Sequence, residues 1–148
     1  MVKSERNRNG VLVYVLKDQP AKSPKERWEQ IHIMQLIRAH TPGEAALTWH
    51  TVNESDSKVQ HRADLQRAGM MKGVSDIISI SGGVACIEMK RARRSNSQIS
   101  KEQTRFLLDA EKAGHFACVA YGAVAAWYAW CDYLNLPDLL TKCHHLLK

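Results

Sequence analysis

The chain has 148 residues, which suits a single domain (1–148) with a hydrophobic core of its own. A net charge of +6 and a pI near 9.3 favour an acidic partner, nucleic acid first and an anionic membrane second. No apolar run is long enough to span a membrane, the polar opening MVKSERNRNG lacks a signal-peptide cleavage pattern, and a cytoplasmic protein is expected.

In chain order, residues 1–10 are polar and read as a frayed tail. Val11–Leu16 is a continuous apolar run rich in β-branched residues and predicts a strand, either at a sheet edge or exchanged with a partner chain. Ser23-Pro24-Lys25-Glu26 predicts a helix start: serine as cap, proline in the first helical position and Glu26 closing a capping box. The helix should run to about Ala39, before Pro42 and Gly43 stop it. Glu29 shares a stripe with Ile33, Leu36 and Ile37, which puts a carboxylate at the end of a core-facing row. It reads either as an acid aimed at a functional site or as a first-turn glutamate favoured by the helix dipole.

Ala46–Val52 predicts a strand carrying Trp49 and His50, with Asn53 following. Glu54–Lys58 reads as a polar loop and Val59–Met70 as a helix with Arg62 and Arg67 either solvated or close to DNA. The stretch Lys72–Arg94 then organises the rest. It reads as two short apolar strands around Ser81-Gly82-Gly83, with Asp76 opening the first and Glu88-Met89-Lys90 closing the second. Arg91, Arg93 and Arg94 follow as a basic cluster, and Lys72 lies just before Asp76. Side chains alternate faces along a strand, so Glu88 and Lys90 point the same way. A two-residue Gly82-Gly83 loop would place Asp76 opposite Met89; a three-residue loop pairs Ile80 with Val84 and places Asp76 opposite Glu88. The second register is expected, because glycine is available for the left-handed position such loops use.

Ser100-Lys101-Glu102-Gln103 is a further capping box, opening a helix to about Ala113. Gln103 lies on the inward stripe with Phe106, Leu107 and Ala110, so it either closes the box or points to a site; the two roles are not easily combined. His115–Tyr121 predicts the last strand, Ala123–Tyr133 a helix with Trp127 and Trp130 in the core, and 137–148 an amphipathic helix that covers the domain or makes a dimer contact. The cysteines Cys86, Cys118, Cys131 and Cys143 show no CxxC spacing, and Cys143-His144-His145 offers too few ligands for zinc. The order of elements predicts an α/β fold, a mixed central sheet flanked by helices.

Two acids and a lysine on adjacent strands, beside positive charge, point to metal-dependent cleavage of a phosphodiester. Gly-Val-Ser-Asp, then Ile-Glu-Met-Lys, then Ser-x-x-Gln resembles the PD-(D/E)XK nuclease superfamily, and more narrowly the stand-alone VRR-NUC domains of phages and bacteria. The likeness runs from the helix at Ser23 to the strand ending near Tyr121, with Ser75 standing where the family usually has proline. It implies a restriction-endonuclease-like core, with Asp76, Glu88 and Lys90 as the catalytic motif, Gln103 as the helix glutamine and Glu29 as the first-helix glutamate. Asp76, Glu88 and the Met89 carbonyl would hold Mg2+ or Mn2+, with Glu29 on a second ion or its water. Lys72, Arg91, Arg93, Arg94 and Lys101 would meet the phosphate backbone. The resemblance further implies a homodimer acting on branched DNA such as four-way (Holliday) junctions, with no organic cofactor. The competing expectations are a nicking or restriction-like nuclease on duplex DNA, and a DNA-binding module that keeps the fold without the chemistry.

Overall fold

In a computed structural model of the chain we describe residues 1–52 and 59–142; Asn53, the polar loop over 54–58, and Cys143, His144, His145, Leu146 and Leu147 lie outside the described residues. Two apolar strands, β5 (Ala85–Lys90) and β6 (Phe116–Tyr121), run parallel through the middle of a six-stranded sheet. Strands covered on both faces read as near-continuous apolar runs, and β5 is buried at every position. On one side of this pair, β2 (Leu12–Leu16) adds parallel to β6, and β1 (Val2–Arg6) closes that edge antiparallel to β2. On the other side, β4 (Ile77–Ser79) pairs antiparallel with β5, and β3 (Thr48–His50) pairs antiparallel with β4. The order β1-β2-β6-β5-β4-β3 is the mixed sheet expected from the sequence.

Helices cover both faces. The first face packs α1 (Glu26–His40) and α5 (Ala123–Leu134) over Ile77, Ile87, Met89, Cys118 and Ala120. Trp127 and Trp130 are fully buried there, and Ala125, Ala126 and Ala129 let α5 lie close to the sheet. Truncating either tryptophan to alanine is worth roughly 3–5 kcal/mol. The second face packs α4 (Lys101–Lys112) over Cys86, Ala117, Val119 and Tyr121, with Leu107 as its buried anchor. A single turn, α2 (Pro42–Ala45), follows α1, and two peripheral helices are α3 (Val59–Arg67), with no buried residue, and α6 (Pro137–Lys142). Among the described residues no helix is long and apolar enough to cross a membrane.

Two terminal expectations are corrected. Residues 1–10 are not frayed: Val2–Arg6 pairs residue for residue with β2. Its polar composition is that of an edge strand with a solvated face, and the turn back is built by Asn7, whose side chain accepts the Asn9 and Val11 N–H groups at 2.9 and 3.0 Å. Consequently β2 is an interior strand within its own chain rather than an edge or an exchanged arm. The capping box at the start of α1 does not form. The helix begins at Glu26 after an extended Lys25, and no side chain caps it. Arg91 explains why: its Nε and Nη2 donate to the carbonyls of Pro24 and Ser23 at 3.0 and 2.7 Å, which holds that segment outside the helix. The strand expected from Ala46 is shortened to Thr48–His50, because the α2 turn reaches Ala45. The described cysteines Cys86, Cys118 and Cys131 are buried and are not joined in disulfides among the described residues, as expected of small apolar residues.

Candidate active site

The β4–β5 hairpin sets the geometry. Its pairs are Ile77 with Ile87, Ile78 with Cys86 and Ser79 with Ala85. Extending that register by one step places Asp76 opposite Glu88, the alignment that parity favoured. The turn carries Gly83 at φ +85°, the left-handed position that glycine accepts without strain. Tyr133 of α5 fixes the turn from behind: its hydroxyl accepts the Gly82 N–H and donates to the Gly83 carbonyl, both at 2.7 Å.

β4 ends at Ile77, so the next N–H of β5 on that side has no strand to meet. The Met89 N–H instead donates to Asp76 Oδ2 at 2.8 Å. A strand residue directs its N–H and C=O to the same edge, so the Met89 carbonyl opens toward Asp76 as well. Glu88 is 2% exposed. Its Oε1 accepts from Gln103 Nε2 at 2.5 Å and pairs with Lys90 Nζ at 3.2 Å, while its Oε2 is buried with no hydrogen-bond partner among the described residues. Burial, reinforced by the neighbouring Asp76 charge, pushes the Glu88 carboxyl far above the usual range against the pull of Lys90. Asp76 is raised too, chiefly by burial, with the Met89 N–H, Lys90, His50 and a side-chain interaction with Glu88 opposing. Two carboxyls that resist ionising together, one with a bare oxygen, form a site short of positive charge.

Gln103 corrects the expectation that its two roles exclude one another. The capping box on Ser100 is complete, with Gln103 Oε1 accepting the Ser100 N–H at 2.9 Å, and the other end of the same amide reaches Glu88. An amide has an acceptor and a donor end, and the helix start spends only the acceptor. Gly73 brings α4 close enough for this. At φ +84°, a Cβ there would lie 2.4 Å from the Glu102 carbonyl carbon, so only glycine lets the loop before β4 press against the first turn of α4.

Glu29 is not part of this constellation. It is buried on the expected stripe, but its Oε2 accepts the Ala123 N–H at 2.8 Å and so caps the start of α5. Glu26, three residues earlier, is the first-helix acid that senses the site: its carboxyl is raised by burial, with Lys90 opposing and Asp76 adding. With Gln30 it lines a cleft of about 230 Å3 shared with His50, Asp76 and Met89. Gln30 is buried and neither end of its amide has a partner among the described residues. His50 Nδ1 lies 2.8 Å from the Asp76 carbonyl oxygen. Glu26 and Gln30 were missed in the sequence because the apparent capping box assigned Glu26 a local task. Their spacing of four residues, one turn apart on one face, was the available signal.

The three arginines expected at the phosphate backbone each make contacts within the chain. Arg91 clamps Ser23 and Pro24, Arg93 bonds Ser95 and the Ala21 carbonyl, and Arg94 bonds Glu5 while stacking over Tyr121 at 5.1 Å. Their N–H groups tie the residues before α1 and the edge strand β1 to the end of β5. Lys72 and Lys101 stand apart from them, exposed, on the α4 side. Among the described residues no three His, Cys, Asp or Glu side chains gather as a ready-made metal cluster, so the donors to hand are the Asp76 and Glu88 carboxylates and the Met89 carbonyl.

No family model matches the chain, and no curated protein matches it. Among solved structures, a chain described as a VRR_NUC domain protein superposes on it with a TM-score of 0.64 at 20% identity, covering 78% of this chain and 92% of that one. The likeness is one of fold: this chain has a VRR-NUC-like, restriction-endonuclease-like α/β architecture.

Proposed function

We propose that the chain is a metal-dependent endonuclease that hydrolyses phosphodiester bonds in DNA, with Asp76, Glu88, Lys90 and Gln103 as its working residues. The observation that carries the reading is the bare Oε2 of Glu88, buried beside Asp76 in a site where both carboxyls are held above their usual range. A buried carboxylate oxygen without a partner is costly unless a proton or a cation meets it. The donor set, two carboxylates and a main-chain carbonyl, suits a hard oxygen-seeking cation such as Mg2+ or Mn2+, which keeps several of its own waters. The fold shared with a VRR_NUC domain protein supports this reading.

When bound, such an ion would supply charge relief to the phosphate and a more acidic water. The chain's own residues do the rest. Asp76 and Glu88 hold the ion, and the Met89 N–H fixes the Asp76 rotamer. Gln103 orients Glu88 from a rigid helix start. Lys90, 6% exposed, keeps its ammonium beside Glu88, where it can orient the attacking water and stabilise charge developing on the phosphate. Glu26, Gln30 and His50 form the opposite wall, where a water or a phosphate oxygen would be received. Glu29 keeps the α5 start in place and takes no part in the chemistry.

The finer reading is selectivity for branched DNA such as four-way junctions, with a homodimer presenting two centres about a two-fold axis for paired cuts. The test is cleavage of labelled four-way junction, linear duplex and single strand by wild type and by Asp76→Ala, in Mg2+, Mn2+ or chelator. Paired junction cuts that vanish with chelator and with the variant are expected. Equal cutting of all substrates would remove the junction preference, and no cutting by wild type would leave a DNA-binding module.

A further inference from the structure

The face of the sheet that carries Glu88 and Lys90 continues past them as an open groove of about 780 Å3 between α4 and the hairpin. Its floor is apolar: Ile78, Val84 and Cys86 from the hairpin and Phe106 from α4. Cys86 precedes Glu88 by two residues on β5, so the floor and the proposed centre share one strand face, with the first turn of α4 beside both. Trp49, 46% exposed, stands opposite Ile78 in the β3–β4 ladder and so belongs to the same face.

The rim is cationic. Lys72, Lys101 and Arg105 line it, together with the carboxylates Glu102 and Asp109. Among the described residues none of these three cations is in an ion pair, whereas Arg91, Arg93 and Arg94 are all committed to the chain itself. Past Lys101 and Arg105 the surface continues into a second hollow beside Arg8 and Thr104. Lys101 is the first residue of α4. A cation at a helix start opposes the helix dipole, so helix stability does not account for it there.

We infer that this groove binds a single-stranded stretch of nucleic acid, with phosphates on Lys72, Lys101, Arg105 and Arg8 and base faces on Phe106 and Trp49. In a duplex the base faces are stacked on one another, and only unpaired bases can offer them to an apolar floor or an exposed indole. Basic side chains at intervals along the rim follow the backbone without reading sequence. The inference rests on the nuclease reading for its purpose and deepens it: the favoured substrate has unpaired nucleotides next to the bond that is cut.

The test separates binding from cutting. Anisotropy of a labelled oligothymidine of about twelve nucleotides, and of a blunt hairpin of equal charge, is followed in chelator with the full chain. Wild type should bind the single strand more tightly than the hairpin. The double variant Lys101→Glu/Arg105→Glu should weaken strand binding by at least about tenfold and lower the salt slope by roughly 1.4, about 0.7 for each lost phosphate contact. Trp49→Ala, a change at an exposed side chain, should weaken it by roughly five- to a hundredfold, and Trp49→Phe by much less. Thermal melts confirm that each variant is folded, and Arg105→Gln replaces the double variant if that one is not. Unchanged strand affinity in folded variants, or a preference for the blunt hairpin, overturns the inference. Strand binding by a wild type that never cuts would leave the groove standing and the nuclease reading fallen; cutting by a wild type whose groove variants bind as before would do the reverse.

Discussion

Glu29 and Glu88 are both buried glutamates, 7% and 2% exposed, and they lie on opposite faces of the sheet. Glu29 meets the first N–H of α5, where the helix dipole adds to the hydrogen bond, and the backbone closes tightly around it: a Cβ on Gly122 would lie 2.8 Å from the Ala92 Cβ and 3.6 Å from Glu29 Oε1. Glu88 meets one amide and one ammonium on a single oxygen; among the described residues its other oxygen has no hydrogen-bond partner, and the Asp76 carboxyl lies alongside. The first arrangement is complete as it stands and holds the fold. The second is complete only when a proton or a cation arrives.

The largest effect that would break this contrast concerns Glu29. Glu29→Ala leaves the Ala123 N–H buried without an acceptor and should lower stability by about 2–3 kcal/mol, with cleavage per folded molecule retained. Chemical denaturation beside an activity titration checks both halves. Lost cleavage in a fully folded variant would return Glu29 to the active site.

Glu88 should show its unmet charge through pH. Its carboxyl is pushed up to about 8, chiefly by burial, against an ordinary value of 4.5. Between these limits the unfolded chain has released the proton and the folded chain retains it. Metal-free stability therefore falls as pH rises from about 4.5 toward 8, and levels off above. Glu88→Gln has no such proton to lose. In chelator, the melting temperature of the variant minus that of wild type should widen between pH 5.5 and 8, by an amount worth roughly 1–3 kcal/mol. A gap that narrows with rising pH would contradict the account.

The smallest effect belongs to Gln103. Gln103→Ala removes half of the capping box and the hold on Glu88 Oε1, and should lower stability by about 1 kcal/mol while lowering the cleavage rate more than tenfold. Ser100→Ala removes only the other half of the box, so its stability should fall similarly with the rate nearly unchanged. Equal rate losses in both variants would mean that Gln103 acts through the helix alone.

These contrasts also mark what was legible in the sequence. The hairpin register, and with it the Asp76–Glu88 pairing, followed from strand parity and one glycine turn, because both are local constraints with few solutions. The stripe on α1 correctly put Glu29 inside. It could not say which neighbour waits there, since the Ala123 N–H is 94 residues away in sequence. Glu26 was hidden by a capping pattern that Arg91 dismantles from 67 residues downstream. Arg91 and Arg93 donate to carbonyls of the segment before α1 and Arg94 donates to Glu5, contacts that charge counting does not reveal. Val2–Arg6 read as a tail because an edge strand needs few apolar residues, and its partner was the apolar run already identified.

The central claim is that Asp76 and Glu88 form a cation site and Glu29 does not. Titration of Mn2+ into the metal-free protein at pH 7.5, followed by electron paramagnetic resonance and by melting temperature, tests it most directly. The account predicts ion binding and a raised melting temperature for wild type and for Glu29→Gln, and the loss of both in Asp76→Ala and Glu88→Gln. Binding that survives Glu88→Gln, or that disappears with Glu29→Gln in a folded protein, would contradict it.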